Sequence, residues 1–485
     1  MAFYTWFLIT ACHEEDFNTD PGAFLRFEND TVSFDTVFST IGSATRFIKI
    51  YNPHKQSIRI DRVYIKNGNQ SDFKMNLDGI SGNTIENIEI RAEDSIYMFF
   101  EVTVNPNDPV EFSPFIKTDS VFLEYNSNQQ KILLLAYGQN ANYIPSKSNK
   151  GGVELIDLKG STQIWDDPRP YIVYGIIYID NGNLIIPAGT KVYLWGGLTK
   201  AIDGNGNSFF YNDGRIIIGP NASIKVEGTK EKPVVFQGVR LEPFYQTIPG
   251  QWSGIFLDKK SRGNEFNYTE IKNNLIGIIA DSLSECKIQN TIIYNNSLYG
   301  VYASSADLFM SNCLIYNQGS SSLYFTTGGN YEVNYCTLVN FGNTDPSVYL
   351  SNARCIDVPF CSEIYEYPLK STFVNSVITG SDEDELWMLE KSTSNFEPKF
   401  QNCLFRIKDL IKEFPQFNTL YAFDCINYER FNSLFKDISN DNFHPDTLSV
   451  LEKKAIPIPG ITTDLDDRTR DVLMPDIGCY EYFVK

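Results

Sequence analysis

A short pattern that returns about every 22 residues constrains this 485-residue chain more than any other feature. Written as apolar-x-x-small-x-apolar, it occurs as Phe266/Thr269/Ile271, Ile288/Thr291/Ile293, Met310/Cys313/Ile315, Val333/Cys336/Leu338, Phe373/Ser376/Ile378 and Phe400/Cys403/Phe405. The small positions lie 22, 22, 23, 40 and 27 residues apart, so one gap holds an insertion. A unit this short cannot bury an apolar face alone, but stacked copies can. The repeat therefore predicts a solenoid of short strands, each coil offset from the next by the ~4.8 Å strand spacing, which is a parallel β-helix.

Alternation along each strand sorts the side chains into inward and outward sets. The small positions point inward, so Cys313, Cys336 and Cys403 read as small buried apolar groups rather than nucleophiles. Four residues after the first four small positions stand Asn273, Asn295, Asn317 and Asn340, a ladder of amides at one corner. Asn tolerates the left-handed backbone of a tight corner, and its amide can bond to the coil above.

Beyond that corner, Gly277-Ile278-Ile279-Ala280, Gly300-Val301-Tyr302-Ala303, Ser322-Leu323-Tyr324-Phe325 and Ser347-Val348-Tyr349-Leu350 align. With Ile278, Val301, Leu323 and Val348 inward, Tyr302, Tyr324 and Tyr349 form an outward row. Sugar rings lay apolar faces on aromatic rings, so this row is the candidate glycan platform; the competing role is a stacking ladder that only stabilises the sheet. A second outward row, Ile292, Tyr294, Leu314, Tyr316, Val339, Val377 and Leu404, is mostly apolar and needs a cover. The insertion near 341–372, the N-terminal domain and another protein are the three candidates for that cover.

Composition excludes several functions. Sixty acidic against 41 basic residues give a net charge of −19, which repels phosphate backbones, so nucleic acid is not an expected partner. Three scattered His and nine Cys without a Cys-x-x-Cys pair leave little from which to build a zinc or haem site, and no cofactor is expected. Calcium through carboxylate oxygens is the one metal left open. Its candidates are Asp382, Glu383, Asp384 and Glu385, or Asp464, Asp466 and Asp467, without EF-hand spacing in either group. Cys355 and Cys361, inside the insertion, can pair if the compartment is oxidising.

Outward charges in the regular coils, Glu270, Lys272, Asp307, Glu332 and Arg406, do not converge on one column by alignment, which argues against catalysis there. The irregular first coils, with Asp166, Asp167, Arg169, Asp213, Arg215 and Arg240, are the alternative place for an active site, and catalytic residues remain unassigned.

Residues 23–142 show short alternating strands at roughly ten-residue spacing, such as Arg46-Phe47-Ile48-Lys49-Ile50-Tyr51 and Ser95-Ile96-Tyr97-Met98-Phe99-Phe100-Glu101-Val102, the pattern of a two-sheet sandwich. Through Ile48-Lys49-Ile50-Tyr51-Asn52-Pro53 and Phe100-Glu101-Val102-Thr103-Val104-Asn105-Pro106 the segment resembles the immunoglobulin-like domains that precede β-helices in surface lipoproteins. The apolar run Phe3 to Ala11 is too short to span a bilayer. Its end, Ile9-Thr10-Ala11-Cys12, resembles the lipobox of bacterial lipoproteins, which implies lipid attachment at Cys12. The following His13-Glu14-Glu15-Asp16 is similar to signals for the outer face of the outer membrane.

The succession Asn183 to Val192, then Val226-Glu227-Gly228-Thr229, Lys232 to Phe236 and Trp252-Ser253-Gly254-Ile255 resembles the opening coils of right-handed parallel β-helix surface lipoproteins of Gram-negative bacteria, of pectate-lyase-like fold. The ending Asp476-Ile477-Gly478-Cys479-Tyr480-Glu481-Tyr482 is similar to their closing segment. The expected organisation is an all-β chain: leader and acidic tether 1–22, immunoglobulin-like sandwich 23–142, right-handed parallel β-helix 143–438 and closing segment 439–485. The expected function is non-catalytic binding of a polysaccharide or an outer-membrane protein partner by a lipid-anchored, surface-exposed protein. The alternatives are a β-helix polysaccharide lyase or glycoside hydrolase, and a structural subunit of an outer-membrane complex.

Overall fold

The computed structural model describes residues 17–38, 45–103, 115–139, 141–145, 152–202, 208–241, 243–357, 361–390, 395–430 and 433–483. The chain divides into two compact units, 1–141 and 142–485.

The first unit is a sandwich of two five-stranded sheets. One sheet orders its strands 26–27, 46–51, 95–102, 73–77, 80–81; the other orders them 31–38, 128–139, 115–125, 58–65, 84–90. Strict alternation, as in Ser95–Val102, sends Ile96, Met98, Phe100 and Val102 inward against Ile48, Ile50, Ile58, Ile60, Leu123 and Leu134.

The second unit is a right-handed parallel β-helix with three faces. The first face stacks eleven strands, among them 269–272, 292–296, 314–318, 337–340, 377–380 and 404–405. The second runs through 254–257, 276–280, 299–304, 323–326, 348–351 and 386–389, and the third through 264–267, 285–289, 307–311, 329–334, 369–374 and 396–401. Parallel register sets each repeat position on its equivalent. Ile271, Ile293, Ile315, Leu338, Ile378 and Phe405 form one inward column, Ile278, Val301, Leu323, Val348 and Leu386 a second, and Phe266, Ile288, Met310, Val333, Phe373 and Phe400 a third. All are essentially inaccessible, and each contributes roughly 1.5–3 kcal/mol relative to an exposed side chain.

The corners are amide-bonded. Asn273, Asn295 and Asn317 adopt left-handed backbone (φ 63°, 55° and 54°). Asn295 Nδ2 donates to Asn273 Oδ1 at 2.7 Å, and Asn317 Nδ2 to Asn295 Oδ1 at 3.4 Å. Asn340 leaves this ladder: its amide donates to Ser320 O and to Asn343 Oδ1, at the start of a longer connection to the strand Val348–Ser351. A second corner, directly before each small residue, was not anticipated. Tyr268, Asn290, Asn312, Tyr335, Asn375 and Asn402 are all left-handed there, and Asn267, Asn290 and Asn312 are linked by amide bonds of 2.9 and 3.0 Å.

The apolar outer row of the first face is covered from within the unit, chiefly by the closing segment, with Phe341 the one contact from the expected insertion among the described residues. Leu434, Phe435, Phe443, Leu451, Ile477, Cys479 and Tyr480 pack on Leu314, Tyr316, Val339, Val377 and Leu404. This segment is mostly turns, and corner side chains hold it: Asn375 exchanges two hydrogen bonds with Ile456, Tyr335 donates to Ile456 O, and Arg470 donates to Asn312 Oδ1. The insertion instead rises beside the second face. Among the described residues no helix is long and apolar enough to cross a membrane.

Asn295 tests the corner. Asn295→Ala loses two inter-coil amide bonds and places a Cβ-bearing residue without a polar handle in left-handed backbone, and should cost about 2–3 kcal/mol in urea unfolding. Asn295→Gly keeps the backbone permitted and should cost about 1 kcal/mol less. Equal losses for the two variants would show that backbone strain is not what Asn relieves.

Candidate functional site

The second face carries one outward column in register: Phe256, Ile279, Tyr302, Tyr324, Tyr349 and Trp387. The three tyrosines singled out from sequence are adjacent in it and half-buried rather than covered. Tyr302 and Tyr324 stack with centroids 5.8 Å apart and planes 7° from parallel; Tyr324 and Tyr349 stack at 4.3 Å and 6°. Tyr299 leans against Tyr324 at 4.5 Å. Trp387, which extends the column by one coil and is 47% exposed, was missed in the sequence. Its strand Leu386–Leu389 follows Tyr349 only after the insertion, and Glu385 replaces the small residue that marks the other coils.

The insertion supplies a wall. Its hairpin, Ala353–Cys355 against Ile364–Glu366, is closed by a Cys355–Cys361 disulfide, and the Asp357 carboxylate accepts from the backbone N–H groups of Ser362 and Glu363 at 3.1 and 2.8 Å. Between this hairpin and the aromatic column lies a groove of about 650 Å³. Asp281, Ser304, Thr326 and Thr327 bring carboxylate and hydroxyl groups to it, and Arg354 reaches it from the hairpin. Burial raises the Tyr302 phenol despite the Arg354 charge nearby, and burial followed by crowding from Tyr349 and Tyr299 raises Tyr324 further. Both phenols are therefore neutral near pH 7, able to donate and accept hydrogen bonds.

The third face is polar and concave, with a cavity of about 900 Å³. Its two outward columns run Lys225, Glu265, Lys287, Phe309, Glu332, Thr372, Lys399 and Glu285, Asp307, Asn330, Lys370, Glu397. Asp307 and Glu332 thus share one surface with Glu265, Glu285, Lys287 and Lys370, a convergence that chain alignment had not revealed. Lys225 pairs with Glu265 at 3.3 Å, and Asn330 donates to Asp307 at 2.6 Å. Such cross-strand pairs stabilise a sheet.

The remaining candidates are engaged elsewhere. Lys272 pairs with Glu270 at 2.9 Å, both bonded to the Tyr294 hydroxyl, and Arg406 donates to Gly380 O. In the first coils Arg169 binds Asp167 through two nitrogens, holding that carboxyl well below the usual range; Asp213 accepts from Thr199 and Gly214; Arg215 bonds Ser253, and Arg240 stacks on Tyr245. The Asp384 carboxylate accepts from the N–H groups of Lys408, Asp409 and Leu410, and Glu383 pairs with Lys408. Asp464 accepts from the N–H groups of Asp466, Arg468 and Glu481, while His444 and Lys230 hold Asp466 well below the usual carboxylate range. Among the described residues no three His, Cys, Asp or Glu gather as metal ligands. Cys313, Cys336 and Cys403 are buried, and burial pushes the Cys336 and Cys403 thiols up. Cys12 lies outside the described residues.

Residues 253–403 match the family model of the right-handed β-helix region. No curated protein matches the chain. Similar solved structures include a family 123 glycoside hydrolase from Clostridium perfringens (8% identity, 39% of this chain and 43% of that one, TM-score 0.19). A Porphyromonas gingivalis protein of unknown function gives 11%, 29%, 59% and 0.19 in the same order. The catalytic unit of a thermostable GH87 α-1,3-glucanase from Streptomyces thermodiastaticus gives 9%, 74%, 73% and 0.24. The chain thus spans less than half of the first of these and under two thirds of the second, and superpositions this loose bear on neither activity nor substrate.

Glu385, under the top of the aromatic column, titrates abnormally. It is fully buried, accepts from Ser347 N and Oγ and from Asp382 N, and fits because Gly380 leaves room for its carboxyl. Burial outweighs these bonds and raises its pKa from 4.5 to about 7. The folded state therefore holds a proton that the unfolded state has lost between pH 4.5 and 7, so this contribution, about 3 kcal/mol, is full below pH 4.5 and is lost as pH rises to 7. Glu385→Gln should flatten the stability slope across that window by up to one proton, read from urea midpoints at pH 5 and 8; an unchanged slope would contradict a neutral buried carboxyl.

Proposed function

We propose that the groove over the aromatic column binds a carbohydrate chain without altering it, and that the protein does so as a lipid-anchored receptor exposed on a Gram-negative outer membrane. One observation supports the first part above all others. Outward rings repeat on successive coils, near parallel and half exposed, along the floor of a groove whose other surfaces offer hydroxyl, carboxylate and guanidinium groups. Pyranose rings need that pairing of flat apolar and hydrogen-bonding surfaces.

The Cys355–Cys361 disulfide favours an oxidising compartment. The Ile9-Thr10-Ala11-Cys12 sequence favours lipidation at Cys12, and a diacylated Cys anchors stably without a spanning helix. The sandwich then acts as an immunoglobulin-like spacer. The structural-subunit reading rested on an uncovered apolar row, and the chain's own closing segment covers that row.

A second reading, polysaccharide hydrolysis or lyase chemistry, is favoured by the third face, where four carboxylates stand beside Lys287 and Lys370. Its test is product release from soluble polysaccharides by wild type and by Asp307→Asn and Glu332→Gln.

Binding is tested on a glycan array. Tyr302→Ala and Tyr324→Ala should each weaken binding at least tenfold, about 1.4 kcal/mol, while Tyr349→Phe keeps the ring and most of the affinity. Array binding unchanged in both alanine variants would remove the groove as the site. Incorporation of labelled palmitate should vanish in Cys12→Ser; persistence would remove Cys12 as the anchor.

A further inference from the structure

The sandwich carries a second aromatic surface, made of different residues in a different unit. Across its first sheet Phe47 pairs with Phe99, Phe99 with Asn76, and Asn76 with Ser81, so one outward row reads ring, ring, amide, hydroxyl. Tyr97 stands two residues before Phe99 on the same strand. Its ring lies 6.1 Å from that of Phe99 and 23° from parallel, and Phe47 touches both rings at 5.6 and 5.9 Å. Phe47, Tyr97 and Phe99 are 56%, 42% and 37% exposed, a contiguous apolar patch of the kind that marks a binding surface.

Past Phe99 the surface falls into a cavity of about 590 Å³, within the range of small-ligand sites. Its rim is formed chiefly by Asn69, Asn76, Asn83 and Ser81. Asn76 is already oriented, donating to Ser81 Oγ at 2.8 Å and accepting from Gly79 N at 3.0 Å. Lys74 and Glu101 face each other across the neighbouring strands, so the rim holds one charge of each sign.

This composition discriminates between occupants. An apolar protein segment laid over the rings would also cover the amides and the hydroxyl, and polar groups desolvated without partners cost free energy. A sugar covers both halves without that loss: its C–H face meets the rings and its hydroxyls meet the rim. We propose that this shelf is a second carbohydrate site, which takes one or two residues of a neutral glycan independently of the groove on the β-helix.

The test is affinity electrophoresis of the full chain through gels containing laminarin, xyloglucan, galactomannan, yeast α-mannan or dextran, using variants of wild-type thermal stability. The groove variant Tyr302→Ala/Tyr324→Ala should still be retarded in at least one gel. Adding Phe99→Ala or Tyr97→Ala to it should weaken that retardation at least tenfold, and adding Asn76→Ala should weaken it with the rings intact. Free migration of the groove variant in all five gels, or retardation insensitive to Phe99→Ala and Tyr97→Ala, overturns the shelf site. A dimer in sedimentation velocity that Phe99→Ala dissociates would make a second copy the occupant and overturns it as well. Retardation lost in Phe99→Ala alone but kept in the groove variant supports the shelf and removes the groove.

Discussion

Parallel stacking at one strand spacing is the constraint on which the β-helix depends. Each side chain lies directly over its equivalent one coil earlier, so any choice at one position is repeated in space. Inward, that rule gives three continuous apolar columns; at the corners it gives amide ladders, because the turn needs left-handed backbone and a buried amide needs a partner. The coil above supplies that partner: Asn295 bonds to Asn273 as donor and to Asn317 as acceptor. Outward, the same rule turns a single Tyr per coil into a platform.

What the sequence reveals follows from this repetition. The inward columns and the Tyr302, Tyr324 and Tyr349 row were legible because they recur at constant offsets from a small residue. The second corner was not, since Tyr268 and Tyr335 occupy positions that Asn290 and Asn312 hold in neighbouring coils, and a pattern with two residue types reads as no pattern. Trp387 was hidden by a longer gap and by Glu385. The third face was hidden because its outward residues change sign from coil to coil, Glu265 to Lys287 to Phe309 to Glu332, so that spatial convergence leaves no periodic trace. The cover over the first face was illegible for the opposite reason: residues 434–480 are largely irregular, and irregular segments declare neither their direction nor what they pack against.

The three faces consequently have three fates. The first is apolar and has been closed by the chain's own end, anchored through corner residues that the solenoid already presents. The third is polar, charged in both signs, and stable in water as it stands. Among the described residues, the second alone of the three combines a column of part-exposed rings with an added wall.

The insertion distinguishes the second face from the other two. A flat row of stacked tyrosines satisfies itself, ring upon ring, and by itself gives a solenoid nothing beyond stability. A hairpin closed by a disulfide and raised beside that row makes a groove, because it adds hydroxyl-bonding groups at a fixed distance from the rings without covering them. At the corner before the second face, Asn340 abandons the ladder to bond Ser320 and Asn343, and one coil later Glu385 occupies a slot that earlier coils fill with Gly or Ser. Both are departures from the repeat and both cost the fold regularity, but the wall itself leaves the solenoid after Ser351 and rejoins it at Leu369. The wall leaves the stacked columns intact, because the chain departs after one strand in register, Val348–Ser351, and returns on another, Leu369–Val374, which pairs with Gly329–Asn334 as if nothing had intervened.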